Sequence, residues 1–146
     1  MMSYYLDERG NPKAELLDEE AQKTAEQLVN HRDRRKGINA NQLRKFYNDC
    51  KAMERKYSFV CHQLRDQEHS DADAKQIALQ RVYPRLKMLK SKAAYASNGK
   101  IPPQFSTWLE KHIDAIDPNQ PADFETFMLC FEAVVGFCYG LGLSNN

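Results

Sequence analysis

Apolar residues recur every three or four positions along most of the chain, and no run alternates with the period of two that a half-buried strand requires. The pattern predicts an all-α fold, a single compact bundle of about five helices. Leu17, Ala21, Thr24, Ala25 and Leu28 mark a first helix over about 14–34, with Glu15, Asp18, Glu19 and Glu20 in its opening turns, where the helix dipole favours acids. Gly37 is read as its stop. Asn39 then caps the longest helix, which reaches about Gln67 and spans about 40 Å at 1.5 Å per residue. Its apolar positions, Leu43, Phe46, Tyr47, Cys50, Met53, Tyr57, Val60, Cys61 and Leu64, form one continuous face.

Either Asp71 or Asp73 can cap a third helix carrying Ala74, Ile77, Ala78 and Val82, and Pro84 is expected to kink or restart it before Leu86, Leu89, Ala93 and Ala96. After Ile101-Pro102-Pro103, a short fourth helix holds Phe105, Trp108, Leu109, His112, Ile113 and Ile116. The last helix, about 121–139, is apolar around most of its circumference and should be the central one. Residues 1–12 read as a loose arm and 140–146 as a flexible tail of one domain spanning 1–146.

Charge changes the picture. The formal net charge is only +1, yet residues 31–100 hold 17 Lys and Arg against seven Asp and Glu. The flanks are correspondingly acidic. Like charges concentrated this way repel one another in the folded chain, and a polyanion is the natural counter-ion. On the long helix Arg44, Asn48, Lys51, Arg55, His62 and Arg65 share a stripe that phosphates can follow. The next helix crowds Arg81, Arg85, Lys87, Lys90 and Lys92 along its length, with Lys100 just beyond it. Arg34, Arg35 and Lys36 make a looser basic corner.

Catalytic chemistry is not indicated: no phosphate-cradling Gly-rich loop, nucleophile elbow or zinc-binding His pair occurs. The four cysteines sit inside apolar helical patterns without a C-x-x-C pair and read as reduced core residues, so neither metal nor cofactor is expected. Glu132, beside Phe131, Val134 and Val135, reads as a buried structural charge needing a cationic partner from the basic segment. Tyr95 has the chemistry to stack on a base, but between alanines on a packed helix it reads as core. No secretory or membrane-spanning pattern is seen, which makes the cytoplasm the expected compartment.

Three stretches carry a family resemblance: Gln42-Leu43-Arg44-Lys45-Phe46-Tyr47-Asn48, Leu86 to Ala96 (LKMLKSKAAYA) and Phe127 to Phe137 (FMLCFEAVVGF). In this order they resemble the small subunit of type III-A CRISPR (Csm) effector complexes. The chain departs from that pattern at Ser91, where proline is frequent, and in having Lys100 as the nearest cation after Tyr95-Ala96. The resemblance implies a non-enzymatic helical bundle stacked in several copies beside the CRISPR RNA (crRNA) and its target RNA, with dimer pairing in some members when isolated. It also implies neighbours: a repeated backbone subunit that cuts the target and a large subunit that makes cyclic oligoadenylate.

A subunit that must hold any guide–target pair needs cations at phosphate spacing rather than base readers. The expected RNA-binding set is therefore Arg34, Arg35, Lys36, Arg44, Lys51, Arg55, Arg81, Arg85, Lys87, Lys90, Lys92 and Lys100. Two other classes compete. A helical DNA-binding regulator requires a recognition helix with exposed polar readers, and none stands out; a protein–protein adaptor has no need of the basic segment. The acidic flanks are expected to face other protein subunits. Charge reversal at Glu19 and Glu20 should then weaken co-purification of the complex while leaving the free chain's RNA affinity unchanged; the opposite pattern contradicts this assignment.

Overall fold

The computed structural model describes residues 3–30, 32–33, 36–98 and 101–143. Its helices are α1 (Ala14–Leu17), α2 (Glu19–Val29), α3 (Ala40–Asp66), α4 (Asp71–Ala96), α5 (Pro103–Ala115) and α6 (Pro121–Gly140). Among the described residues the only strand-like feature is an isolated antiparallel bridge between Leu6 and Pro12. The all-α bundle expected from the periodicity is what forms.

Helix α6 is the centre, as its composition requires, and it touches all five other helices. Phe124, Phe127 and Phe131 on its inner side are fully buried, together with Phe105 of α5. Each such ring contributes roughly 1.5–3 kcal/mol relative to an exposed one. Phe131 is the hub, lying 5.1 Å from Trp108, 5.4 Å from Tyr47, 6.1 Å from Phe127 and 6.2 Å from Phe105 between ring centroids. Edge and tilted arrangements dominate, as ring quadrupoles favour.

Helix α3 starts where a capping box predicts. The Asn39 side chain accepts from the Gln42 backbone N–H at 2.9 Å, and the Gln42 side chain accepts from the Asn39 N–H at 3.0 Å. Apart from Ala40 at its first position, its buried residues, Leu43, Phe46, Cys50, Tyr57, Val60, Cys61 and Leu64, all come from the predicted apolar face. After a tight turn α4 runs back antiparallel along it. Ser70, rather than Asp71 or Asp73, caps α4 by accepting from the Asp73 N–H at 3.2 Å.

Pro84 does not restart α4, which is continuous from Asp71 to Ala96. The proline lies on the exposed side, and its missing donor would have served the carbonyl of exposed Gln80, which solvent can satisfy.

Three other expectations are corrected. The first predicted helix is broken at Asp18 (φ −127°, ψ −94°) and ends at Val29, with Asn30 in the left-handed region at φ 51°. The break re-phases the helix, so that Leu16, and not Leu17, joins Ala21, Ala25 and Leu28 in the core. Gly37 is no helix stop. It packs against α2 so closely that a Cβ there would come within 2.2 Å of the Val29 carbonyl oxygen.

The N-terminal segment is not loose either. Tyr5 is fully buried, Leu6 nearly so, and the Lys13 N–H donates to the Tyr5 carbonyl at 2.9 Å. The Tyr5 hydroxyl donates to the His112 carbonyl oxygen at 2.6 Å and lies 3.0 Å from His112 Nδ1, which assigns the ring proton to Nδ1. All four cysteines are free and buried, as expected, and burial pushes the thiols of Cys50, Cys130 and Cys138 up to about 12.

Burial, followed by the neighbouring Lys111 charge, lowers His112 to about 4. An unfolded histidine titrates near about 6.5, so between these values the unfolded chain binds more protons. The stability that neutral His112 contributes is full above about 6.5 and is lost as pH falls towards 4. Urea midpoints should fall across that window, and His112→Phe should flatten the fall; an equal slope in both proteins contradicts the assignment.

Candidate nucleic-acid interface

The α3–α4 hairpin carries most of the positive charge, and its geometry sorts the cations by face. Helical spacing puts Lys45, Asp49, Ala52, Lys56 and Phe59 on one stripe of α3, and Arg81, Arg85, Met88, Lys92 and Tyr95 on one stripe of α4. The two stripes adjoin. A groove of about 380 Å³ between the helices is walled by Lys56, Arg85 and Lys92 over Met53, Met88 and Leu89. A second groove of about 430 Å³ continues from it, sharing Asp49 and Lys92 and adding Lys45, Phe46, Tyr95 and Ile101. Four cations, Lys45, Lys56, Arg85 and Lys92, therefore line these grooves with one carboxylate, Asp49, whose Oδ2 is 3.8 Å from Lys92 Nζ, and Arg81 continues the α4 stripe beyond them. Among the described residues Lys45, Lys56, Arg81 and Arg85 have no ion pair.

Other predicted cations turn elsewhere. Arg44, Lys51 and Arg55 lie on the α6 side of α3. There the Arg44 guanidinium donates to the Tyr139 hydroxyl at 2.8 Å, and Lys51 pairs with Glu54 at 2.6 Å. Arg55 borders a shallow groove with Glu54, Phe124 and Glu125. Lys87 and Lys90 face α5, where both pair with Asp114, at 3.1 and 2.5 Å. Their hydrogen bonds, that of Lys90 first, hold the Asp114 carboxyl below its usual value. Lys36 is exposed in the α2–α3 turn. Arg34, Arg35 and Lys100 lie outside the described residues.

Among the described residues, the helical members of the predicted set thus occupy three faces rather than one, of which the α3–α4 seam is predominantly cationic and unpaired, and Lys36 stands apart in the α2–α3 turn. Lys45 and Lys56 belong to that seam and were not in the sequence-derived set. The signal that could have found them is their i, i+4 and i+3 spacing with Asp49, Ala52 and Phe59, a stripe one residue on from the one selected and so turned from it by about 100°.

Two single-residue readings are also corrected. Glu132 is exposed, with no ion pair among the described residues. It falls on a narrow open stripe of α6 with Leu129, Gly136 and Tyr139, so its carboxylate stays hydrated and needs no buried partner. The buried carboxylate is Asp123, 1% exposed. It accepts from the Ser3 hydroxyl and from the Asp117 N–H at 3.1 Å, tying the N-terminal segment and the α5–α6 turn to α6. Tyr95, expected in the core, is 85% exposed, because Ala93 and Leu89 take the inward positions of that turn.

Among the described residues no group of three or more His, Cys, Asp or Glu side chains is arranged to hold a metal ion. What the fold and surface define is a small helical-bundle subunit with a cationic, aromatic-edged seam along one hairpin. The chain belongs to the Csm2 Type III-A family, whose model matches residues 11–139. It is accordingly a small subunit of the type III-A CRISPR complex. No match to a curated protein or to a solved structure was found.

Removing charge at the two acids should separate their roles. Glu132→Gln is expected to change unfolding free energy by less than about 0.5 kcal/mol, as surface substitutions do. Asp123→Ala, which removes the buried acceptor of the Ser3 hydroxyl and the Asp117 N–H, should cost about 1–3 kcal/mol by urea denaturation. Equal effects contradict the placement.

Proposed function

We propose that this chain is a non-catalytic RNA-binding subunit that holds the phosphate backbone of the crRNA and target RNA along the α3–α4 seam and helps assemble the Csm complex. The observation that carries the reading is the seam itself: Lys45, Lys56, Arg81, Arg85 and Lys92 are gathered on adjoining stripes with only Asp49 among them. From Arg81 to Lys92 the α4 stripe covers about 17 Å at 1.5 Å of rise per residue. That length matches about five nucleotides at 3.4 Å along one strand. Cations so spaced on two rigid helices grip a backbone without reading base edges, which suits a partner whose sequence changes with every guide.

The paired cations serve differently in this reading. Lys87 and Lys90 are committed to Asp114 and stabilise the α4–α5 junction, while Arg44, Lys51 and Arg55, interleaved with carboxylates, suit contacts to neighbouring protein subunits or to further copies of this chain. No described helix is long and apolar enough to cross a membrane, and the cytoplasm, where guide and transcript meet, is the proposed compartment.

The test is a salt titration of single-stranded RNA binding. Five phosphate contacts give a slope of log affinity against log salt near −3.5, at about −0.7 per contact. Replacing Lys56, Arg85 and Lys92 together by alanine should reduce it to about −1.4, whereas Lys87→Ala with Lys90→Ala should leave it close to the parent value. A triple variant that keeps the full slope refutes the assignment of the seam.

A further inference from the structure

The groove at the Tyr95 end of the seam differs from the rest in chemistry. Its walls are mostly apolar, with Phe46, Ala96 and Ile101 below and the Tyr95 ring standing at the rim, 85% exposed. Lys45 and Lys92 flank it, and Asp49 sits where it meets the neighbouring groove. A backbone phosphate is repelled from the Asp49 junction and meets an apolar Phe46–Ile101 floor, beside which Gln42 is the one neutral polar side chain lining the groove. A flat, apolar-faced ring attached to a phosphate fits both demands: the ring lies in the groove against Tyr95 while the phosphate rests on a flanking lysine. A single exposed aromatic is ordinary on a protein surface. An exposed aromatic closing an apolar groove between two cations is the arrangement of a stacking platform.

We propose that this groove receives one unstacked nucleobase of a bound single strand, with Tyr95 as the stacking residue and Lys45 and Lys92 holding the adjoining phosphates. The proposal rests on the RNA-backbone reading and deepens it, since it adds a base-dependent contact at one end of a base-independent seam. Every base has a flat apolar face, so the contact tolerates any sequence. It does, however, demand a base free of its partner strand. The seam then grips single-stranded or interrupted RNA better than a continuous duplex, and the Tyr95 end marks where a nucleotide leaves the stack.

Full-length Tyr95→Ala, Tyr95→Leu and Tyr95→Phe proteins, each checked for helicity by circular dichroism, should be titrated at low salt. The probes are a mixed-sequence 20-nucleotide single-stranded RNA and the same strand annealed to its complement. Stacking predicts that the alanine and leucine variants lose about tenfold in affinity for the single strand, that phenylalanine restores it, and that none of the three changes duplex affinity. The salt slope should be the same in all, because no cation has been removed.

Two results overturn the inference: unchanged single-strand affinity in Tyr95→Ala, or a loss equal on single strand and duplex. If unchanged affinity accompanies a normal parental salt slope, the backbone reading survives and the base site does not. If the parent protein binds neither RNA at low salt, both fall.

Discussion

The three inner phenylalanines of α6 set the terms for the rest of the molecule. Phe124, Phe127 and Phe131 must be screened from water on nearly every side, and no single helix is wide enough to do so. All five other helices therefore pack around α6. The N-terminal segment is drawn in as well, because Tyr5 and Leu6 cover what the helices leave open. Once the apolar side of every helix is turned towards that axis, the charged sides are forced outward, and their distribution decides what the surface can bind.

The longest helices, α3 and α4, are packed along each other as an antiparallel pair, and this arrangement makes a binding surface from ordinary solvated faces. One stripe of each helix falls beside the seam, and Lys56, Arg85 and Lys92 come to share a groove although they are remote in sequence. The same packing diverts other cations. Lys87 and Lys90, each two residues from a seam position and so turned to the other side of α4, meet Asp114 on α5, and Arg44 meets Tyr139 on α6. Positive charge in the sequence is thus an inventory, of which tertiary packing leaves a part available and ties a part to internal partners.

Helix boundaries and inward faces were largely legible in the sequence because they depend on local chemistry. Asn39 with Gln42 announces the start of α3, and the apolar spacing from Leu43 to Leu64 names its buried side. What depends on relations between helices was not legible. Spacing tells which residues share a stripe of one helix, but not which stripe of the next helix lies beside it, so Lys45 and Lys56 were passed over in favour of Arg44, Lys51 and Arg55. Glu132 and Tyr95 were misread for a related reason: an apolar neighbourhood in sequence does not reveal the narrow strip that packing leaves open. The docking of Tyr5 onto His112 likewise comes from a contact with a distant residue, and no local signal announces it.

Ultraviolet crosslinking of RNA within the assembled complex, followed by peptide mapping of this subunit, probes the seam most directly. Adducts should concentrate on peptides containing Lys45, Lys56, Arg85, Lys92 and Tyr95. Adducts confined to the Arg44–Arg55 side of α3 or to the Lys87–Lys90 side of α4, with the seam unmarked, would contradict the account.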